Sequence, residues 1–142
     1  MNRGIYVSIK PTPISKIVQG IKNHEFRNYI PKNDFRFLYV YVSKTEKKLK
    51  YIIEIGKILK YPDKIEVDGD GNKEFNNGSK FNYAYQILKV YELENPITLE
   101  VLKQRFDFVP PQAFTYDTRY PDLSDYLLKA KKHIVVENFT IK

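Results

Sequence analysis

Cysteine is absent from this 142-residue chain, which excludes disulfides, thiolate zinc sites and a cysteine nucleophile. Histidine occurs only at His24 and His133, far apart in sequence, so no multi-histidine metal centre is expected. No run approaches the ~18 apolar residues of a membrane span. The opening Met1-Asn2-Arg3-Gly4-Ile5-Tyr6 has no long apolar segment for export, so a soluble, cytoplasmic protein is expected. There is no phosphate loop, dinucleotide fingerprint, internal repeat or interdomain linker. One domain over residues 1–142 is the expectation, without cofactor or metal. Asp68-Gly69-Asp70-Gly71-Asn72 begins like a calcium loop, but Lys73 stands where glycine is required and Ser79 where glutamate is.

What the chain does have is positive charge, unevenly placed. Residues 1–60 carry a net of +9 and residues 61–142 a net of −2. A basic half is the electrostatic footprint of a phosphate binder. Abundant Lys, Ile, Asn and Tyr are also the mark of an AT-rich genome, which inflates lysine without any functional cause. Charge alone therefore points only weakly to nucleic acid.

Ile5, Val7 and Ile9 alternate with Tyr6, Ser8 and Lys10, the pattern of a half-buried strand stopped by Pro11. Thr12-Pro13 reads as a helix start, with Ile14, Ile17, Val18 and Ile21 at helical spacing and Gly20 as the C-terminal stop. Residues 25–30 read as extended. Phe35–Val42, Tyr51–Leu59 and Phe81–Tyr91 are rich in β-branched and aromatic residues and read as strands. Residues 62–80 are polar and glycine-bearing, predicting a surface loop with a tight turn at Asn77-Gly78. Thr98 caps a predicted helix to Arg105, Ser124 caps another to Lys132, and Ile134-Val135-Val136 suggest a last strand. The pattern predicts a compact β-barrel plugged by short helices.

Three stretches carry chemistry. In Gly20-Ile21-Lys22-Asn23-His24-Glu25-Phe26-Arg27, strand alternation puts Glu25 and Arg27 on one face, and Lys22 can reach the same space. The ordinary structural alternative is a surface ion pair beside a helix-terminal lysine. Lys10, closing Ser8-Ile9-Lys10-Pro11, can project over the same helix or simply face water. In Pro110-Pro111-Gln112-Ala113-Phe114-Thr115-Tyr116 the diproline stiffens the backbone, and an amide beside two rings suits a base edge and its face. Aromatic residues covering a barrel end account for it equally well.

In order and spacing these pieces resemble the ASCH branch of the PUA-like superfamily, in particular its short prokaryotic and viral members described as predicted transcriptional regulators. The resemblance rests on Ser8-Ile9-Lys10-Pro11, on Gly20, Lys22, Glu25 and Arg27 filling a Gly-x-Lys-x-x-Glu-x-Arg motif, and on Pro111, Gln112, Phe114 and Tyr116. It covers residues 5–117, leaving 118–142 as a C-terminal helix and strand extension. It implies an α+β fold, a PUA-like pseudo-β-barrel of about six strands with two or three short helices. It also implies a cleft between barrel and first helix where Lys10, Lys22, Glu25 and Arg27 converge.

Two functions follow as expectations. The first is a regulatory module binding RNA, single-stranded nucleic acid or a modified nucleotide. Lys10, Lys22 and Arg27 would take phosphate or ribose oxygens, Glu25 and Gln112 would hydrogen-bond, and Phe114 and Tyr116 would stack. The alternative is a small hydrolase acting on a modified nucleoside or RNA, with Lys22 and Glu25 as catalytic pair. Similar amidohydrolases of acylated cytidine carry a hydroxyl residue where Glu25 stands, which argues against that substrate. A protein-interaction adaptor would suit the tyrosine content, but no residue names a partner.

Overall fold

The computed structural model describes residues 3–138; the last four residues of the expected extension, 139–142, lie outside them. Seven strands form one sheet: β1 (Gly4–Ile9), β2 (His24–Arg27), β3 (Phe37–Val42), β4 (Lys48–Lys60), β5 (Tyr83–Thr98), β6 (Thr115–Tyr116) and β7 (Lys132–Glu137). Four helices accompany them: α1 (Pro11–Val18), α2 (Asn72–Asn76), α3 (Leu99–Phe106) and α4 (Pro121–Lys129), with a 3₁₀ turn at Asp117–Arg119. The strand order is β2-β5-β4-β3-β1-β6, and β7 also pairs with β5. β1 and β3 run parallel and every other pairing is antiparallel. The expected α+β pseudo-β-barrel is present as a curled half-barrel, and among the described residues it has one strand more than the expected six and one short helix more than the expected two or three.

The sheet is packed on both faces. Ile5, Val7 and Ile9 of β1 meet Leu38, Val40, Ile53 and Ile87 inside the curl, where Ile14 and Ile17 of α1 close the end. Tyr6, on the other face, is fully buried against Tyr39, Phe108, Tyr120, Leu123 and Leu127. β1 is thus not the half-buried strand that alternation predicts. Its second face is covered by α3, α4 and the chain between them.

Local chemistry explains most element ends. α1 starts at Pro11, one residue before the predicted Thr12 cap, because Pro at the first helical position needs no N–H partner. It stops as expected: Gly20 takes φ +79°, a conformation most side chains avoid. Thr98 caps α3 by accepting from the Val101 N–H at 3.3 Å. Ser124 does not open a helix. α4 starts three residues earlier at Pro121, and the Ser124 hydroxyl donates back to the carbonyls of Asp117 and Tyr120 and bonds Tyr6 Oη at 2.8 Å.

Residues 62–80 are more than a surface loop. They contain α2, Ile65 and Phe75 are buried against Phe26 and Ala84, and Asn72 is buried as well. Asn77-Gly78 closes α2 rather than a hairpin, with Gly78 at φ +74°.

Candidate functional site

The site begins where α1 ends. After Gly20 the chain reverses, and the N–H groups of Ile21 and Lys22 donate to the carbonyl of Lys16 at 3.0 and 3.1 Å. That bond pins Lys22 under the helix end. The chain then enters β2, whose pairing with β5 fixes the alternation: Glu25 and Arg27 face one way, His24 and Phe26 the other.

Glu25 is 6% exposed. Its Oε2 accepts from Arg27 Nε at 3.0 Å and lies 2.9 Å from Nη2, so two guanidinium nitrogens face a single oxygen. Lys22 Nζ lies 3.8 Å from Oε1 and 5.3 Å from the centre of the Phe26 ring. Oε1 is buried and accepts no hydrogen bond among the described residues. The Lys22 and Arg27 side chains are each 14% exposed, so this is an enclosed triad and not the surface pair of the ordinary alternative.

Arg27 ties the triad to the other two stretches. Its Nη1 donates to Tyr29 Oη at 3.1 Å and its Nη2 to the Ser8 carbonyl at 3.4 Å. Tyr29 Oη in turn donates to the Ala113 carbonyl at 2.8 Å, and Ser8 Oγ to the Pro111 carbonyl at 2.8 Å. The Tyr29 ring stacks on Phe114 at 5.4 Å, and Phe114 meets Tyr116 edge-on at 5.1 Å. Burial works against the Arg27 charge, but the neighbouring Glu25 carboxylate outweighs it and the guanidinium pKa is raised. Burial raises the Tyr29 phenol above its usual value, with the Arg27 charge pulling the other way.

The predicted residues thus fall into two groups. Lys22, Glu25 and Arg27 touch one another, and Phe114 and Tyr116 join them through Tyr29. Lys10 and Gln112 are exposed, and among the described residues no hydrogen bond or ion pair joins either to the triad. Tyr29 is the residue that sequence reasoning missed. Its signal was present, because it continues the alternation of Glu25 and Arg27 by two more residues.

No family model matches the chain, and no curated protein matches it by sequence. Solved structures do match. The crystal structure of ASCH from Zymomonas mobilis aligns with a TM-score of 0.64 at 20% identity, covering 90% of this chain and 96% of that one. Two single-substitution ZmASCH mutant proteins align with TM-scores of 0.63 at 20% and 19% identity. Each also covers 90% of this chain, with 96% and 99% of its own length matched. The chain has an ASCH fold. At such identity the likeness concerns the backbone, and any chemistry must be read from this chain's own side chains. Among the described residues no group of acidic or histidine side chains could hold a metal ion, and no helix is long and apolar enough to cross a membrane.

Within that ASCH fold the opposite face of β2 carries a buried histidine. His24 is 4% exposed, and burial pulls its pKa down from 6.5 to about 4. The unfolded chain therefore binds a proton that the folded chain refuses, so stability is complete above pH 6.5 and declines on acidification towards pH 4. Urea titrations between pH 7 and 5, above most carboxylate titration, should show a loss of up to ~1.4 kcal/mol per pH unit. His24→Gln should flatten that slope.

Proposed function

We infer that the Lys22–Glu25–Arg27 triad and the Tyr29–Phe114–Tyr116 rings form a nucleic-acid binding site, recognising an RNA or single-stranded segment or a modified nucleotide. The observation that carries this reading is the buried Glu25 Oε1. A desolvated acceptor without a donor is costly, and an amino or imino group of a base would satisfy it. Arg27 holds the other carboxylate oxygen, so Oε1 remains aligned for a ligand. Lys22, Lys10 and the wider basic half would neutralise phosphates, and the rings offer a stacking wall. Gln112 would engage the ligand's edge from the diproline loop. A regulatory role and a cytoplasmic setting accompany this reading.

Affinity for single-stranded RNA and DNA should fall linearly with the logarithm of salt concentration, with a slope of about −0.7 for each phosphate contacted. Lys22→Ala should weaken binding about tenfold and make the slope shallower. Negligible binding at low salt would defeat the proposal.

The separation of Lys22 Nζ from Glu25 Oε1 by 3.8 Å, longer than a hydrogen bond, favours one second reading. An amine and carboxylate so placed can pass a proton through an intervening substrate group, making a hydrolase of modified nucleosides or RNA. Turnover of acylated cytidine or RNA that Lys22→Ala abolishes would select this reading over simple binding.

A further inference from the structure

A cavity of about 270 Å³ lies on the other side of β2 from the triad, between β2, β4, β5 and the 64–67 segment. Its walls are built, not incidental. β4 bulges between Ile55 and Ile58, and the Lys57 N–H freed from the ladder donates instead to Gln86 Oε1 at 3.0 Å. That bond fixes the amide: Gln86 keeps its Nε2 donors for the cavity. His24 is the cross-strand partner of Gln86, so the two side chains stand next to each other on one face.

A chain of amides sets the protonation of His24. Asn72 Nδ2 donates to the Val67 carbonyl and to Asn23 Oδ1, both at 3.0 Å. Asn23 Nδ2 is spent on the Asp68 carbonyl, so Asn23 Oδ1 faces His24 Nδ1 at 2.7 Å and Nδ1 must carry the hydrogen. His24 Nε2 is then a bare acceptor, without a partner among the described residues, in a side chain that lines the cavity. The 64–67 segment opposite is held by Asn76, which accepts from the Ile65 N–H at 2.8 Å and donates to the Ile65 carbonyl at 2.9 Å.

The lining thus offers an acceptor beside a donor, apolar walls from Leu59, Ile65 and Val67, and two lysines against the single carboxylate of Glu66; of the two ammonium groups, that of Lys64 also donates to the Asn76 carbonyl at 2.6 Å. We propose that this cavity is a second ligand site, taking a nucleoside monophosphate. A nucleobase edge presents an N–H beside an acceptor, complementing His24 Nε2 and Gln86 Nε2. Its faces fit the apolar walls, and Lys57 and Lys64 neutralise one phosphate. The Glu66 carboxylate disfavours the greater charge of a di- or triphosphate. This site does not depend on how the Lys22–Glu25–Arg27 triad is read.

The test is calorimetric titration of the full-length protein with uridine 5′-monophosphate and adenosine 5′-monophosphate, with uridine and ribose 5-phosphate as controls. Both nucleotides should bind saturably and both controls at least tenfold more weakly, because each lacks half of the recognised groups. In the Lys22→Ala background, where binding at the triad is already weakened, Lys57→Ala, at an exposed side chain, should lower nucleotide affinity about tenfold. Nucleotide should also shift the ¹⁵N resonance of His24 Nε2, a readout that a purely structural histidine would not give. The proposal is overturned by an absence of saturation up to about 5 mM nucleotide, or by indifference of the Lys22→Ala protein to the added Lys57→Ala change.

Discussion

Glu25→Ala should lower the free energy of unfolding by about 3–5 kcal/mol, because it leaves Arg27 as a buried charge without its counter-ion. Arg27 would retain only Tyr29 Oη at 3.1 Å and the Ser8 carbonyl at 3.4 Å, neither of them charged. Its side chain is 14% exposed and bonded into the ring wall, so it cannot swing freely to water. Lys22 differs, because its flexible stem can carry the ammonium outward and its contact with Glu25 is loose at 3.8 Å. Lys22→Ala should therefore cost less than about 1 kcal/mol while impairing ligand binding. Glu25→Gln, which keeps an acceptor for Arg27, should fall between the two. The paired replacement Glu25→Leu with Arg27→Met should recover much of the loss, because it removes both charges from the interior. Urea unfolding of the four variants measures the series. Equal, small losses throughout would mean that the triad is effectively solvated and that its charges are not held for a ligand.

The triad was legible because its determinants are local. A glycine ends α1, strand alternation aligns Glu25 with Arg27, and both rules act within eight residues. What joins it to the Pro-Gln-x-Phe-x-Tyr stretch was not, since Tyr29 bonds a carbonyl 84 residues away. The same limit explains the cavity. Its acceptor depends on Asn23 meeting Asn72 across 49 residues, and Gln86 is oriented by a bulge that no local pattern marks. Residues 62–80 read as a loop because their few apolar side chains lack periodicity. Ile65 and Phe75 nevertheless find a core, since Phe26 on the outer face of β2 needs a cover. The strong strands were identified from composition, whereas the parallel pairing of β1 with β3 is a property of topology and leaves no local trace.

Leu123→Ala should be the most damaging single change in the C-terminal segment, costing about 3–5 kcal/mol by leaving a cavity. Leu123 is fully buried in the cluster that covers the outer face of β1 and β3. Around it Tyr6, Phe108 and Tyr120 pack with ring centres 5.1–5.6 Å apart, an aromatic layer too rigid to collapse into the space. Hydroxyls buried there depend on α4 as well: Ser124 Oγ bonds Tyr6 Oη, and the Val109 N–H donates to Tyr120 Oη. Ending the chain at Arg119 should accordingly do worse than any point change. It removes Tyr120, Leu123 and Leu127 from the core and β7 from the edge of β5, exposing Tyr6 and Tyr39 and depriving the Tyr6 hydroxyl of Ser124. Such a chain is expected to lose cooperative unfolding and bind hydrophobic dyes, although every residue of the three-stretch resemblance is still present. A truncated chain that melts cooperatively within a few degrees of the full one would show that β1 and β3 do not need this second layer. The burial of Tyr6 would then be incidental to the fold.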